Sequence, residues 1–159
     1  DELIAHVYSH IYKLPTTGLR FFTVYGPWGR PDMGVFKFIE NIIREKTIEV
    51  YNHGNMRRNF TYIDDIVAGV LTTLDADLNY AVMNIGGDRD EALLDYITLV
   101  EKHTGKKSKQ KLMPMQPGDV PSTVADIRQL RKLGWKPTTR IDKGIKNFVE
   151  WYRGYYKVQ

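Results

Sequence analysis

The stretch Leu19–Met33, LRFFTVYGPWGRPDM, constrains this chain more than any other. It begins as a buried strand, Leu19-Arg20-Phe21-Phe22-Thr23-Val24-Tyr25. Gly26, Pro27, Gly29 and Pro31 then force a loop with little freedom. Strands that end in rigid loops at the carboxyl edge of an open α/β sheet are where such sheets take up ligands. Only eighteen residues precede the stretch, and none of them forms a Gly-rich, phosphate-cradling loop.

Around this stretch, apolar periodicity alternates between helix and strand. Leu3, Ile4, Val7, Tyr8 and Ile11 recur every three or four residues and predict an amphipathic helix over 1–13, ended by Pro15 and Gly18. A strand is expected at 18–25. A helix is expected at 34–46, with Val35, Phe36, Phe38, Ile39, Ile42 and Ile43 on its apolar side. Short strands are expected at 48–51 and 59–63, separated by the turn Asn52-His53-Gly54-Asn55. Asp64-Asp65 open a helix to about Leu74, where acids favour the positive end of the helix dipole. Further strands are expected at 81–86 and 111–115, and helices at 93–103, 126–133 and 142–156. The alternation argues for an α/β architecture in one domain, 1–159.

Composition narrows the functional classes. A hydrophobic fraction of 42% supports a real core, and the net charge is only +4. Much of the charge is local, in Lys102, Lys106, Lys107, Lys109 and Lys111. No aromatic residue interleaves with these lysines to stack bases, so they read as a solvated helix end and loop, with no nucleic-acid partner expected. There is no cysteine, which excludes disulfides and zinc fingers and fits a cytoplasmic protein. No apolar run approaches the roughly 18 residues of a membrane span, so no membrane partner is expected either. The first residues, Asp-Glu-Leu-Ile-Ala-His, carry no signal-peptide pattern and read as the middle of a helix, as expected of a fragment. His6 and His10 share a helix face but lack the accompanying glutamate of a metalloprotease helix, and read as solvated.

At LRFFTVYGPWGRPDM the chain resembles the extended short-chain dehydrogenase/reductases, the NAD-dependent sugar-nucleotide epimerases and dehydratases. Three more segments carry the resemblance. Arg57-Arg58-Asn59-Phe60-Thr61-Tyr62-Ile63-Asp64-Asp65 looks like the family's R-D/N-F-x-x-V/I-x-D block. Met83-Asn84-Ile85-Gly86-Gly87 resembles its strand-end N-x-G element. Gln116-Pro117-Gly118-Asp119-Val120-Pro121 with Ala125-Asp126 is similar to its G-D…A-D loop. Order and spacing match over nearly the whole chain. Within the family, Thr23–Met33 looks most like the UDP-glucuronate 4-epimerases of capsule and lipopolysaccharide pathways. The resemblance implies the C-terminal, substrate-binding part of that fold, lacking most of the N-terminal Rossmann half with its G-x-x-G-x-x-G loop and its Tyr-x-x-x-Lys pair.

The resemblance also implies roles. Arg58 would hold the pyrophosphate, a task suited to a planar, permanently charged fork. The alternative is a surface arginine paired with an acid such as Asp64. Its neighbour Arg57 should point to the opposite face. Thr23 and Arg30 would meet the sugar carboxylate, unless Thr23 is an ordinary strand residue and Arg30 bonds loop carbonyls. Tyr51 would lie against the uracil, or be an edge-strand tyrosine. Asp119 would accept from the ribose hydroxyls, or simply form the turn after Gly118. Phe21 would sit near the nicotinamide, or pack in the core. Gln116 occupies a place where several relatives keep a second phosphate-binding arginine, which leaves Arg30 to compensate.

The function implied is the UDP-sugar-binding part of a UDP-glucuronate 4-epimerase, which oxidises C4 with NAD, rotates the keto intermediate and returns the hydride. Another sugar-nucleotide chemistry (4,6-dehydration or decarboxylation) and a non-catalytic sugar-nucleotide binder are the alternatives. The chain alone is expected to lack activity, the parent to be a homodimer, and the fragment to self-associate through apolar surface left bare on helix 1–13 and strand 19–25.

Overall fold

The computed structural model describes residues 1–159. Its elements run α1 (Glu2–Tyr12), β1 (Thr16–Phe21), β2 (Val24–Tyr25), α2 (Gly34–Ile43), β3 (Thr47–Val50), a 3₁₀ turn (Tyr51–Gly54), β4 (Arg57–Arg58), β5 (Thr61–Tyr62), α3 (Ile63–Leu74), β6 (Tyr80–Ile85), β7 (Glu91–Ala92), α4 (Leu93–Thr104), β8 (Lys109–Leu112), α5 (Arg128–Lys132) and α6 (Ile141–Tyr156). The expected α/β class holds. No helix is long and apolar enough to cross a membrane.

The strands pair in four separate two-stranded units. β1 runs parallel to β6, β2 to β5 and β3 to β8, while β4 and β7 are antiparallel. This changes two expectations. The strand over 18–25 is broken, because the chain leaves one partner for another. Phe22 still donates its N–H to Ile85 at 3.0 Å, whereas the Thr23 carbonyl accepts from Thr61 at 2.9 Å. The strand over 59–63 is broken for the same reason. Arg57–Arg58 pair with β7, Thr61–Tyr62 pair with β2, and Asn59 between them donates its side-chain amide to the Gly87 and Arg89 carbonyls. The strand expected at 111–115 forms earlier, at Lys109–Leu112, where it registers against Thr47–Val50. Helix α2 stops three residues short of 46, because Glu45 adopts a left-handed φ of 56°.

Two apolar clusters form the interior. The larger joins α2, α4 and α6 around Tyr25, Phe60 and Tyr62. The smaller packs Ile66, Met83 and Ile85 against Ala125, Ile127, Leu130 and Trp135. A Cβ at Gly144 would collide with the Tyr25 ring, so α6 lies directly on that ring only because residue 144 has no side chain. Asp65, buried at the start of α3, ties α3 to the chain entering α6. Its carboxylate accepts from the Thr138 N–H and hydroxyl at 3.0 and 2.9 Å and from the Thr139 N–H at 2.9 Å.

Helix α1 is amphipathic, and its apolar side is left bare, as expected. Ser9 is the residue it buries, its hydroxyl on the Asn79 carbonyl, and Glu2 forks to Arg20. Leu3 and Ile4 are 83% and 62% exposed, and Val7 and Ile11 are exposed beside them. The side chains that lie along β1 and β6 are the small and polar ones of the helix.

Two outcomes follow for stability. Asp65→Ala leaves two N–H groups and a hydroxyl without their acceptor, so it should cost about 3 kcal/mol and lower Tm by about 6–12 °C in thermal unfolding. A change within experimental scatter would remove Asp65 as a structural tie. Glu101, largely shielded on α4, holds Lys107 and both the N–H and hydroxyl of Ser108 at 2.6–2.9 Å. Burial pushes its pKa up, but these partners outweigh burial and hold it at about 2 against an ordinary 4.5. A depressed carboxylate stabilises fully above its unfolded pKa, so this contribution is present above pH 4.5 and lost as pH falls towards about 2. Denaturant unfolding from pH 7 to pH 3 should show a shallower acid decline in Glu101→Gln than in the parent.

Candidate functional site

A cavity of about 870 Å³ opens between α2, β3 with its 3₁₀ turn, β4 and the loop at 116–119. Its size falls within the roughly 300–1,000 Å³ typical of small-molecule sites. Thr23, Tyr51, Arg58 and Asp119 all line it, as does Gln116. Four segments thus supply one surface, two of them neighbours in the chain (the 3₁₀ turn and β4).

Each is placed by identifiable local structure. Thr23 sits in the gap between β1 and β2, held by its carbonyl on Thr61. Tyr51, expected to end a strand, lies one residue past β3, at the first position of the 3₁₀ turn, and donates its hydroxyl to Glu49 at 2.8 Å. That bond, then burial and the Glu49 charge, push its pKa up. The turn is pinned from outside, since Asn52 and His53 take left-handed φ near 50° while His53 N–H bonds the Met113 carbonyl.

Arg58 is half-buried and donates to Asp119 at 2.8 Å; another of its nitrogens bonds the Arg57 carbonyl. Two of the roughly five guanidinium N–H donors are thereby used, leaving the rest for a ligand. Its counter-charge is Asp119 and not Asp64. Asp119 takes Arg58 and the Val120 N–H on one oxygen, Oδ1, which leaves Oδ2 open. Arg57 turns away to Asp90 at 2.6 Å, as strand alternation requires.

Two expected residues lie off the cavity. Arg30 is exposed and forks to Asp32 at 3.1 and 2.6 Å; Asp32 lines the cavity and Arg30 does not. The Arg30 fork is the main reason the Asp32 pKa is lowered. Phe21 ends β1 with 55% of its surface exposed, neither in the core nor on the cavity.

Sequence reasoning missed Lys37, Asn41, Glu49 and Lys111, all on the cavity wall. A signal for two of them was present. Gly34, Lys37 and Asn41 fall on one stripe of α2, opposite the buried Val35, Phe36, Phe38, Ile39, Ile42 and Ile43. A polar stripe on so apolar a helix has to face either solvent or a cavity.

The Gly-Gly that ends β6 is packed shut: a Cβ on Gly86 would meet the Asn59 side chain, and one on Gly87 the Phe60 carbonyl. No group of His, Asp or Glu side chains could hold a metal.

Comparison with known proteins places this geometry in context. The profile of the NAD dependent epimerase/dehydratase family matches residues 2–86. The chain is 47% identical to the protein CapI of Staphylococcus aureus, covering 99% of this chain and 53% of that protein. It is 42% identical to a probable UDP-glucuronate 4-epimerase of Rhizobium meliloti, covering 98% and 52%. Among solved structures, the UDP-glucuronic acid 4-epimerase from Bacillus cereus, in complex with UDP-glucuronic acid and NAD, superposes with a TM-score of 0.90 at 34% identity, covering 98% of this chain and 50% of that one. The chain therefore spans about half the length of the relatives it matches.

Proposed function

The chain belongs to the NAD dependent epimerase/dehydratase family, and from that premise we propose that it is the sugar-nucleotide-binding part of a UDP-glucuronate 4-epimerase. One observation carries the reading: Thr23, Tyr51, Arg58 and Asp119 come from four segments and line one cavity of nucleotide-sugar size. Arg58 holds the pyrophosphate with the donors that Asp119 does not use. Asp119 offers its second oxygen to the ribose hydroxyls. Tyr51 covers the base, and Thr23 offers a hydroxyl to the sugar. Arg30 reaches the sugar carboxylate only by releasing Asp32.

NAD serves the parent enzyme. In this reading the chain by itself turns nothing over. The parent, in the same reading, is a cytoplasmic enzyme of surface-polysaccharide synthesis, and its UDP-glucuronate substrate is the one named for the Rhizobium meliloti and Bacillus cereus relatives.

Calorimetric titration tests the site. UDP and UDP-glucuronate should bind the protein, and Arg58→Ala should weaken both by about ten- to a hundredfold, the worth of one charge-assisted contact. Unchanged binding in the variant would move the pyrophosphate elsewhere. Association follows from the same reading. Leu3, Ile4, Val7 and Ile11 form a contiguous exposed apolar face, and the occupant available in a pure solution is a second copy of the chain. Analytical ultracentrifugation should show a concentration-dependent dimer or larger species, abolished in a Leu3→Lys, Ile4→Lys double variant. A monomer at high micromolar concentration would contradict this.

A further inference from the structure

We infer that Lys37 supplies the second positive charge for a pyrophosphate in this cavity, a charge that neither Arg30, off the wall, nor the neutral Gln116 provides. The inference rests on the sugar-nucleotide reading above. It deepens that reading by naming a ligand-contacting residue outside the motifs that carry the family resemblance.

A pyrophosphate in a partly enclosed site requires more than one cation, because burying an unpaired charge is costly. The cavity wall and its rim hold four cations, Arg30, Lys37, Arg58 and Lys111, and three carboxylates, Asp32, Glu49 and Asp119. Arg30 is engaged by Asp32, Arg58 by Asp119 at 2.8 Å, and Lys111 faces Glu49 at 3.9 Å. Lys37 makes no ion pair within 4 Å and no side-chain hydrogen bond, and only its charge, after the Arg30 fork, reaches Asp32 to help lower that carboxyl's pKa. The one surplus charge of the site therefore lies on Lys37.

Its placement suits the role. Lys37 is one turn into α2, on the stripe with Gly34 that lines the cavity, so its long stem can carry the ammonium along the wall. The buried flank of α2 holds the backbone beneath it rigid, with Phe36, Phe38 and Ile39 each in the large core. Arg30 lacks both properties: its fork is already filled, and its side chain is off the wall. Gln116 is on the wall but carries no charge.

The test compares the wild-type protein with Lys37→Met, Lys37→Arg and Arg58→Ala, titrated with UDP by calorimetry and with uridine by ligand-observed NMR. Lys37 is exposed, so its variants should unfold at the wild-type Tm. UDP affinity should fall about tenfold in Lys37→Met and recover in Lys37→Arg, while uridine binding stays unchanged. Equal UDP affinity in wild type and Lys37→Met, with Arg58→Ala still weakened, would overturn the role of Lys37 and leave the site reading standing. Parallel loss of UDP and uridine in Lys37→Met would overturn it as well, by placing Lys37 on the base. Absence of UDP binding in the wild type would overturn the site reading, and this inference with it.

Discussion

The cavity depends on a parallel pairing only two residues long. Val24 registers with Thr61 and Tyr25 with Tyr62, and the Thr61 N–H closes on the Thr23 carbonyl. This pairing brings the strand–loop stretch beside the segment that carried Arg58 three residues earlier. A few backbone hydrogen bonds, each worth about 1 kcal/mol net, would not hold it alone. The ring of Tyr25 meets Phe60, Tyr62 and Tyr96 edge-on, with centroids 6.3, 5.7 and 6.1 Å away. Aromatic pairs contribute about 0.5–1.5 kcal/mol each beyond the area they bury. Packing therefore decides this junction, and the ladder follows it. Burial pushes the Tyr25 phenol well up, so it stays neutral.

The same junction explains why the two motif segments each break in the middle. A continuous strand over 18–25 would keep β6 as its partner throughout and carry Thr23 away from Thr61. Changing partner at Phe22–Thr23 turns the chain towards the large core, and Gly144 lets α6 close over Tyr25 from the other side. The loop 26–33 is then clamped at its tip. Trp28, at a left-handed φ of 62°, rests on Trp151 and Tyr155 of α6. The C-terminal helix thus supports the loop whose end, at Asp32 and Met33, forms one lip of the cavity.

Apart from the shielded carboxylates of Asp65 and Glu101, charged groups contribute little to holding the fold and much to how the site is poised. The exposed forks Arg20–Glu2, Arg30–Asp32 and Arg128–Asp126 are screened by solvent and add little to stability. Arg58–Asp119 is different, because the arginine is only 17% exposed and its partner orients it across the cavity. The pairing also joins the segment at 57–58 to the loop at 116–119, two of the four segments that line the site.

The helix faces and most turns were legible in the sequence. Val35, Phe36, Phe38, Ile39, Ile42 and Ile43 mark the buried side of α2 by spacing alone, and Asp64-Asp65 mark the start of α3. Periodicity and turn chemistry are local properties, so one residue's neighbours in the chain suffice to read them. That Thr23, Tyr51, Arg58 and Asp119 share one surface was expected from the family resemblance; the tertiary structure is what brings them there. Two things were decided only in three dimensions. The strand breaks followed from a choice between partners distant in sequence. The division of the cations followed from which carboxylates came within reach: Arg30 met Asp32, Arg58 met Asp119, and Lys37 met none. An ion pair forms through space, and residues 61 positions apart leave no periodic trace of it in the chain.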